Sequence, residues 1–164
     1  MDLSSSEKGK QLSGRLIRIS RDRNYPVNDI ENVLLPLFRP AHTEETLRVT
    51  IGSATHIWCA YENDQCLGCA LASDIGSNHG LYLILFGVSQ SAQGFGIGSR
   101  ILTKMIKWCR KRRRPFIFLL TESHNERALR LYRKVGFQKH SSSSIYDESL
   151  PDYGDGVIPL ILVI

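Results

Sequence analysis

The 164-residue chain has no apolar stretch long enough to cross a bilayer. Its longest, "VIPLILVI" at the end, contains Pro159, so it reads as a buried terminal strand and no membrane partner is expected. The opening "MDLSSSEKGKQLSG" lacks an apolar core, so no secretory signal is expected. Residues 1–13 read as a flexible tail before a single domain over 14–164. Cysteine is scarce. Cys59, Cys66, Cys69 and Cys109 do not make a disulfide scaffold in a chain of this size. "CLGC" has no second pair at zinc-ribbon spacing, and none of the five histidines completes an H-E-x-x-H, so no metal is expected. Residues three apart on a strand face opposite ways, so Cys66 and Cys69 are expected as separate buried hydrophobes. Without aromatic interleaving or a second basic stripe, nucleic acid is not expected as the main partner.

What is present is globular: 42% hydrophobic and 23% charged residues, with a net charge of +5. The charge is uneven. "KWCRKRRR", Lys107 to Arg114, is basic, and "YDESLPDYGDG", Tyr146 to Gly156, is acidic. The basic cluster ends an apolar stripe of Ile101, Leu102, Met105, Ile106 and Cys109, so it suits the negative end of a helix dipole. The other readings are a nuclear-import signal or an aid to a phosphate-bearing ligand. The expected compartment is the cytoplasm, with the nucleus added if the cluster directs import.

A coarse reading gives a strand at 15–20 and a helix opening at Pro26, distorted near its end by Pro36. A short helix follows, capped at Thr43, and then three strand-like runs, "THIWCAYE", "CLGCALAS" and "GLYLILFGV". Next come a helix over 98–111, a strand "FIFLLTE", a helix from Asn125 to the stop at Gly136, and two final strands. The order β-α-α-β-β-β-α-β-α-β-β predicts an α+β fold around one central mixed, mostly antiparallel sheet of about seven strands and about four helices.

Glycines at 94, 96 and 98 stand between the third apolar run and the helix. A strand, a glycine-rich turn and a helix N-terminus together form a phosphate cradle, because backbone N–H groups converge where no side chain obstructs them. A Walker A loop requires G-K-[ST], and the lysine is missing. A Rossmann turn requires G-x-G-x-x-G. Gly94 and Gly96 fit, Ser99 stands at the third site, and Glu122 lies about where a ribose-binding acid belongs. The elements after Glu122 are too few for a doubly wound sheet. A purely structural tight turn is the remaining alternative.

The segment from Val88, "VSQSAQGFGIGS", resembles the acyl-CoA signature Q/R-x-x-G-x-G/A of the GNAT superfamily of acetyl-CoA-dependent N-acetyltransferases. Beyond the next strand, "NERALRLYRKVGF" resembles that superfamily's N-x-x-A-x-x-L-Y-x-K-x-G-F. The resemblance covers Leu81 to Phe137. It implies acetyl-CoA as co-substrate, with pantetheine lying between splayed fourth and fifth strands. The backbones of Phe86 and Val88 would pair with it, and the amides of Gln93, Gly94, Phe95, Gly96, Ile97, Gly98 and Ser99 would surround the pyrophosphate. Asn125 would hold pantetheine from the other side, and Tyr132 would protonate the departing thiolate. The usual catalytic glutamates are replaced by Tyr82 and Leu120, so Glu122, on Leu120's face of its strand, is the candidate base, with His124 or a water chain as alternatives. A primary amine is the implied acceptor. Asp147, Glu148, Asp152 and Asp155 would favour a cationic one, and Tyr61, Tyr146 and Tyr153 could line its groove. An acyl-CoA-binding sensor or interaction module with weak catalysis is the alternative to an enzyme.

Overall fold

The computed structural model describes residues 17–21, 25–77, 79–140 and 154–164. The expected tail and most of the acidic loop lie outside them. In chain order the elements are β1 (Arg18–Arg21), α1 (Val27–Phe38), α2 (Glu44–Ser53), β2 (His56–Glu62), β3 (Gln65–Ile75) and β4 (Gly80–Val88). They continue with a 3-10 turn (Gln90–Ala92), α3 (Ile97–Lys111), β5 (Phe116–Glu122), α4 (Glu126–Lys134), β6 (Gln138–Lys139) and β7 (Val157–Val163). This is the order the sequence predicts. The strands make one seven-stranded sheet, β1-β2-β3-β4-β5-β7-β6. Neighbours are antiparallel except β4 and β5, which run parallel. The fold is α+β, with apolar layers on both faces of the sheet.

One layer gathers α3 and α4 over Leu81, Leu83, Ile117 and Leu119. The other gathers α1 and α2 over Cys59, Cys69, Leu71 and Leu85. α1 buries Ile30, Val33 and Leu34 and continues through Pro36 to Phe38. α2 starts at a capping box whose second partner is Thr46 rather than an acid. Thr46 N–H donates to Thr43 Oγ1 at 3.2 Å, and Thr43 N–H donates to Thr46 Oγ1 at 2.9 Å. The two helices are tied by buried Glu31, which accepts from Arg48 Nε at 2.5 Å and from its NH2 at 3.1 Å.

Two β-bulges change which side chains share a face. Opposite Ala60 and Tyr61 stand Gly68 and Cys66, which leaves Leu67 as the extra residue in β3. Cys66 therefore returns to the α1 face with Cys69, beside Cys59 and Tyr61. The expected opposite placement of the two thiols is thus corrected, because strict alternation fails across a bulge. Tyr61 is buried in that layer. In β4, Leu83 and Leu85 face Ala72 and Leu71, which makes Ile84 the extra residue. Beyond it, Phe86 and Val88 return to the α3 face.

At the far end of α3 a charged and aromatic cluster locks β1, β2, β3 and the helix together. Arg21 donates to His56 Nδ1 at 2.6 Å, and His56 Nε2 lies 2.9 Å from Asp74 Oδ1. A guanidinium has only donors, so Nδ1 must accept. His56 is therefore neutral, with its proton on Nε2. Burial lowers the His56 pKa from 6.5 against the opposing pull of Asp74. The folded protein thus binds this proton more weakly than the unfolded chain. The stability it contributes is complete above pH 6.5 and falls away as the pH drops through the folded value. Asp74 is shifted the other way: burial opposes ionisation, but His56 and Arg114 outweigh it and hold the carboxyl below 3.8, outside the His56 window. We expect the melting temperature to decline as the pH falls below 6.5. His56→Gln, which can accept from Arg21 and donate to Asp74 without titrating, should flatten that decline. An equal acid decline in the variant would assign it to other groups.

Candidate active site

β4 and β5 pair only at Leu81–Ile117, Tyr82–Phe118 and Leu83–Leu119. Beyond Leu83 the two strands part, while β5 keeps its pairing with β7 out to Glu122. This is the expected splay. Ser89 N–H donates to Leu67 O at 2.8 Å, so the alternation of an antiparallel ladder turns Gly87 and Leu85 toward β3 as well. Phe86 and Val88 then turn their N–H and C=O groups the other way, into the notch. Val88 O accepts from Gln93 Nε2 at 2.9 Å, and Arg127 in turn donates to Gln93 Oε1. These side-chain links between the turn and α4 were not read from the sequence.

The notch leads to the glycine-rich turn. Gly94 and Gly96 have φ of +87° and +77°, and no atom lies within 4 Å of where either would carry a Cβ. Glycine is required there by backbone conformation, and the space in front of it is open. Gly96 is also the N-cap of α3, with no side-chain cap. The N–H groups of Ile97, Gly98 and Ser99 are therefore first-turn donors facing the positive end of the dipole. Gly98 is glycine for another reason. A Cβ there would lie 3.1 Å from Leu131 and 3.2 Å from Phe86, so it lets α4 and β4 approach α3. Ile97 is buried and Phe95 is half-buried against the same layer.

Asn125 caps α4, its Oδ1 accepting from Ala128 N at 3.1 Å. That leaves the Nδ2 donors for other use. Tyr132 is 6% exposed, with its ring 6.1 Å from Phe86 and 5.7 Å from Phe137. Burial pushes its phenol pKa well up, so it stays protonated throughout the neutral range. Phe86 reaches it because of the Ile84 bulge. On the opposite face, β5 presents Phe118, Leu120 and Glu122, since Ile117 and Leu119 belong to the α3 layer. Glu122 is solvent-facing and pairs with His124 at 3.2 Å. Tyr82, also on this face, stacks at 6.0 Å on Phe118, and burial pushes its phenol pKa up.

The basic cluster divides. Arg114 is held by Asp74 at 2.7 Å and donates to His79 O at 2.9 Å, so it serves the far end of α3. Arg110, Lys111, Arg112 and Arg113 are exposed. α3 is 15 residues long, which places this end about 22 Å from the glycine turn. Of the acidic loop, Asp155 is exposed, while Asp147, Glu148, Asp152, Tyr146 and Tyr153 lie outside the described residues. Among the described residues, no group of His, Cys, Asp or Glu is arranged to hold a metal ion, and no helix is long and apolar enough to cross a membrane.

A parted parallel strand pair thus runs out to a glycine turn at the positive end of a helix dipole, with a buried tyrosine beneath it. The chain belongs to the acetyltransferase (GNAT) family, whose model matches residues 27–137. Over 91 residues it is 30% identical to mycothiol acetyltransferase of Acidothermus cellulolyticus, a match covering 52% of this chain and 27% of that protein. The chain thus spans about a quarter of that curated relative's length. Its fold is similar to a Bacillus subtilis acetyltransferase in complex with CoA, at a TM-score of 0.69 and 17% identity, covering 91% of this chain and 99% of that one. It is likewise similar to Arabidopsis thaliana Naa50 in complex with the bisubstrate analogue CoA-Ac-MVNAL, at a TM-score of 0.64 and 22% identity, covering 89% and 99%.

Proposed function

We propose that the protein transfers an acetyl group from acetyl-CoA to a primary amine by direct attack. The observation that carries this reading is the open β4–β5 notch, with Phe86 and Val88 facing into it, the glycine turn at its outer end and Tyr132 at its inner side. In this reading pantetheine completes the broken ladder as an extra strand. The amides of residues 93–99 receive the diphosphate, and Asn125 Nδ2 supports the arm from the α4 side. The thioester carbonyl then lies near the β4 backbone, whose Val88 N–H can stabilise the developing oxyanion. Tyr132 gives its proton to the departing thiolate. On the amine side, Glu122 is the carboxylate that the sequence offers.

The acceptor belongs to the class of primary amines: a protein lysine, a peptide N-terminus or a small amine. A cationic preference rests on the acidic loop alone. The second reading, a catalytically weak acyl-CoA sensor, is favoured by the exposed, ion-paired Glu122 and by Tyr82 and Leu120 at the usual glutamate positions. One experiment separates the two. Calorimetry with acetyl-CoA is followed by a product assay over a panel of peptides, lysine-bearing proteins and polyamines. Binding with turnover supports the transferase, and tight binding with no product anywhere in the panel supports the sensor.

A further inference from the structure

We infer that the outward side of α3 and α4 is a docking surface for the phosphodiester backbone of a nucleic-acid duplex. The segment from Ile97 to Lys139 holds 13 of the chain's 21 lysines and arginines but 2 of its 16 acids. It carries a net charge of +11 in a chain whose total is +5, so the remainder is negative. All of these cations except Arg114 are exposed. On α3, Arg100, Lys104, Lys107 and Lys111 recur at helical spacing, away from buried Ile101, Leu102, Met105 and Ile106. On α4, Arg127, Arg130 and Lys134 repeat the pattern, away from buried Leu129 and Tyr132. Both helices cover the same face of the sheet, so both stripes meet solvent on that side. The second stripe escapes a linear reading of "KWCRKRRR" because it lies on a different helix.

The helix dipole does not account for this surface. It favours cations in the last turn and disfavours them in the first, yet Arg100 and Arg127 stand within the first four residues of their helices. Like charges three and four residues apart also weaken a helix. Of the exposed cations, only Arg130 has a carboxylate partner among the described residues, Glu126 at 3.2 Å. The cofactor does not account for it either. Along the helix from Gly96, Lys107 lies about 16 Å away and Lys111 about 22 Å, so a diphosphate at the turn neutralises one end of the stripe only. A long surface of unpaired cations suits a polyanion, and a duplex presents one charge per about 1.7 Å of its axis. Among the described residues the exposed large hydrophobics are Val27, Val49 and Val163, none on α3 or α4, so the surface has no apolar wedge for a bilayer. Of its aromatic rings, Tyr132 is buried and Trp108 is half-buried against Trp58, so the bases of a single strand have no open ring to stack on. Seven of the twelve exposed cations are arginines, whose planar fork pairs with phosphate through two parallel N–H···O bonds.

The test is fluorescence anisotropy over a series of salt concentrations, with a labelled RNA duplex, the DNA duplex of the same sequence, the single strands and polyglutamate. Phosphatidylserine vesicles are tested by cosedimentation. Binding to one or both duplexes is expected, with log affinity falling against log salt by about 0.9 per phosphate neutralised. The comparison of RNA with DNA shows which duplex the surface takes. The triple variant Lys107→Gln, Arg110→Gln, Lys111→Gln should lower duplex affinity at least about tenfold and flatten the salt slope by about 3. Arg133→Gln with Lys134→Gln should flatten it by about 2. Arg39→Gln removes a cation from the α1 side and should leave duplex binding unchanged. Acetyl-CoA affinity and melting temperature should hold in every variant. A wild-type chain that binds neither duplex at low salt overturns the proposal, as does tighter binding to single strands, polyglutamate or vesicles. So does an unchanged slope in the triple variant, an equal loss in Arg39→Gln, or a loss that tracks melting temperature. The transferase reading stands apart from each of these outcomes, since it rests on the glycine turn and the β4–β5 notch.

Discussion

Gly96→Glu should raise the dissociation constant for acetyl-CoA by at least about a hundredfold. Two effects act together. Gly96 sits at φ +77°, where a side chain costs about 1–2 kcal/mol, so the turn shifts or strains. The carboxylate then projects into the open space in front of the turn, where the diphosphate is proposed to lie. Two unit charges about 5 Å apart repel by about 3 kcal/mol at an effective dielectric of about 20, and each 1.4 kcal/mol is about tenfold in affinity. Gly96→Ala supplies the first effect without the second, so its loss should be much smaller. Isothermal calorimetry distinguishes them. Equal affinity in wild type and Gly96→Glu would remove the turn from the cofactor site altogether.

Tyr132→Phe should lower kcat by about 10²–10⁴-fold with the acetyl-CoA dissociation constant unchanged. Phenylalanine keeps the ring contacts with Phe86 and Phe137, so α4 stays docked and only the proton donor is lost. Because burial raises the phenol pKa, the wild-type rate should show no alkaline limb from Tyr132 below about pH 10. Rapid-quench kinetics isolates the chemical step from product release. An unchanged chemical rate in Tyr132→Phe would reduce this tyrosine to a core aromatic and shift the balance toward the sensor reading.

The helices were legible because their signals are local. Thr43 and Asn125 cap as their side chains allow, and the stripe from Ile101 to Cys109 has helical period. The parting of β4 from β5 was legible only through family resemblance, since nothing in "GLYLILFGV" marks where pairing stops. The two bulges were not legible at all. Alternation predicts that Leu83 and Phe86 face opposite ways, yet the extra residue Ile84 brings both to the α3 layer, and Leu67 likewise reunites Cys66 with Cys69. A bulge is set by the partner strand's register, which is a long-range property. Gly98 was legible as a glycine requirement but not for its cause, which is the approach of Leu131 and Phe86 rather than backbone freedom.

The chain's only two tryptophans, Trp58 and Trp108, meet edge to face with centroids 5.6 Å apart. Trp108 lies under Arg21 at 4.5 Å, with Arg114 at 5.3 Å and His56 at 4.8 Å. The tryptophan emission of the molecule therefore originates at one spot, at the opposite end of α3 from the glycine turn. Emission excited at the indole band reports whether β1 and the helix end are still clasped. It should change as His56 gains its proton, while filling of the distant cofactor turn leaves it nearly constant. Ligand titrations followed by tryptophan emission would thus miss binding that calorimetry detects.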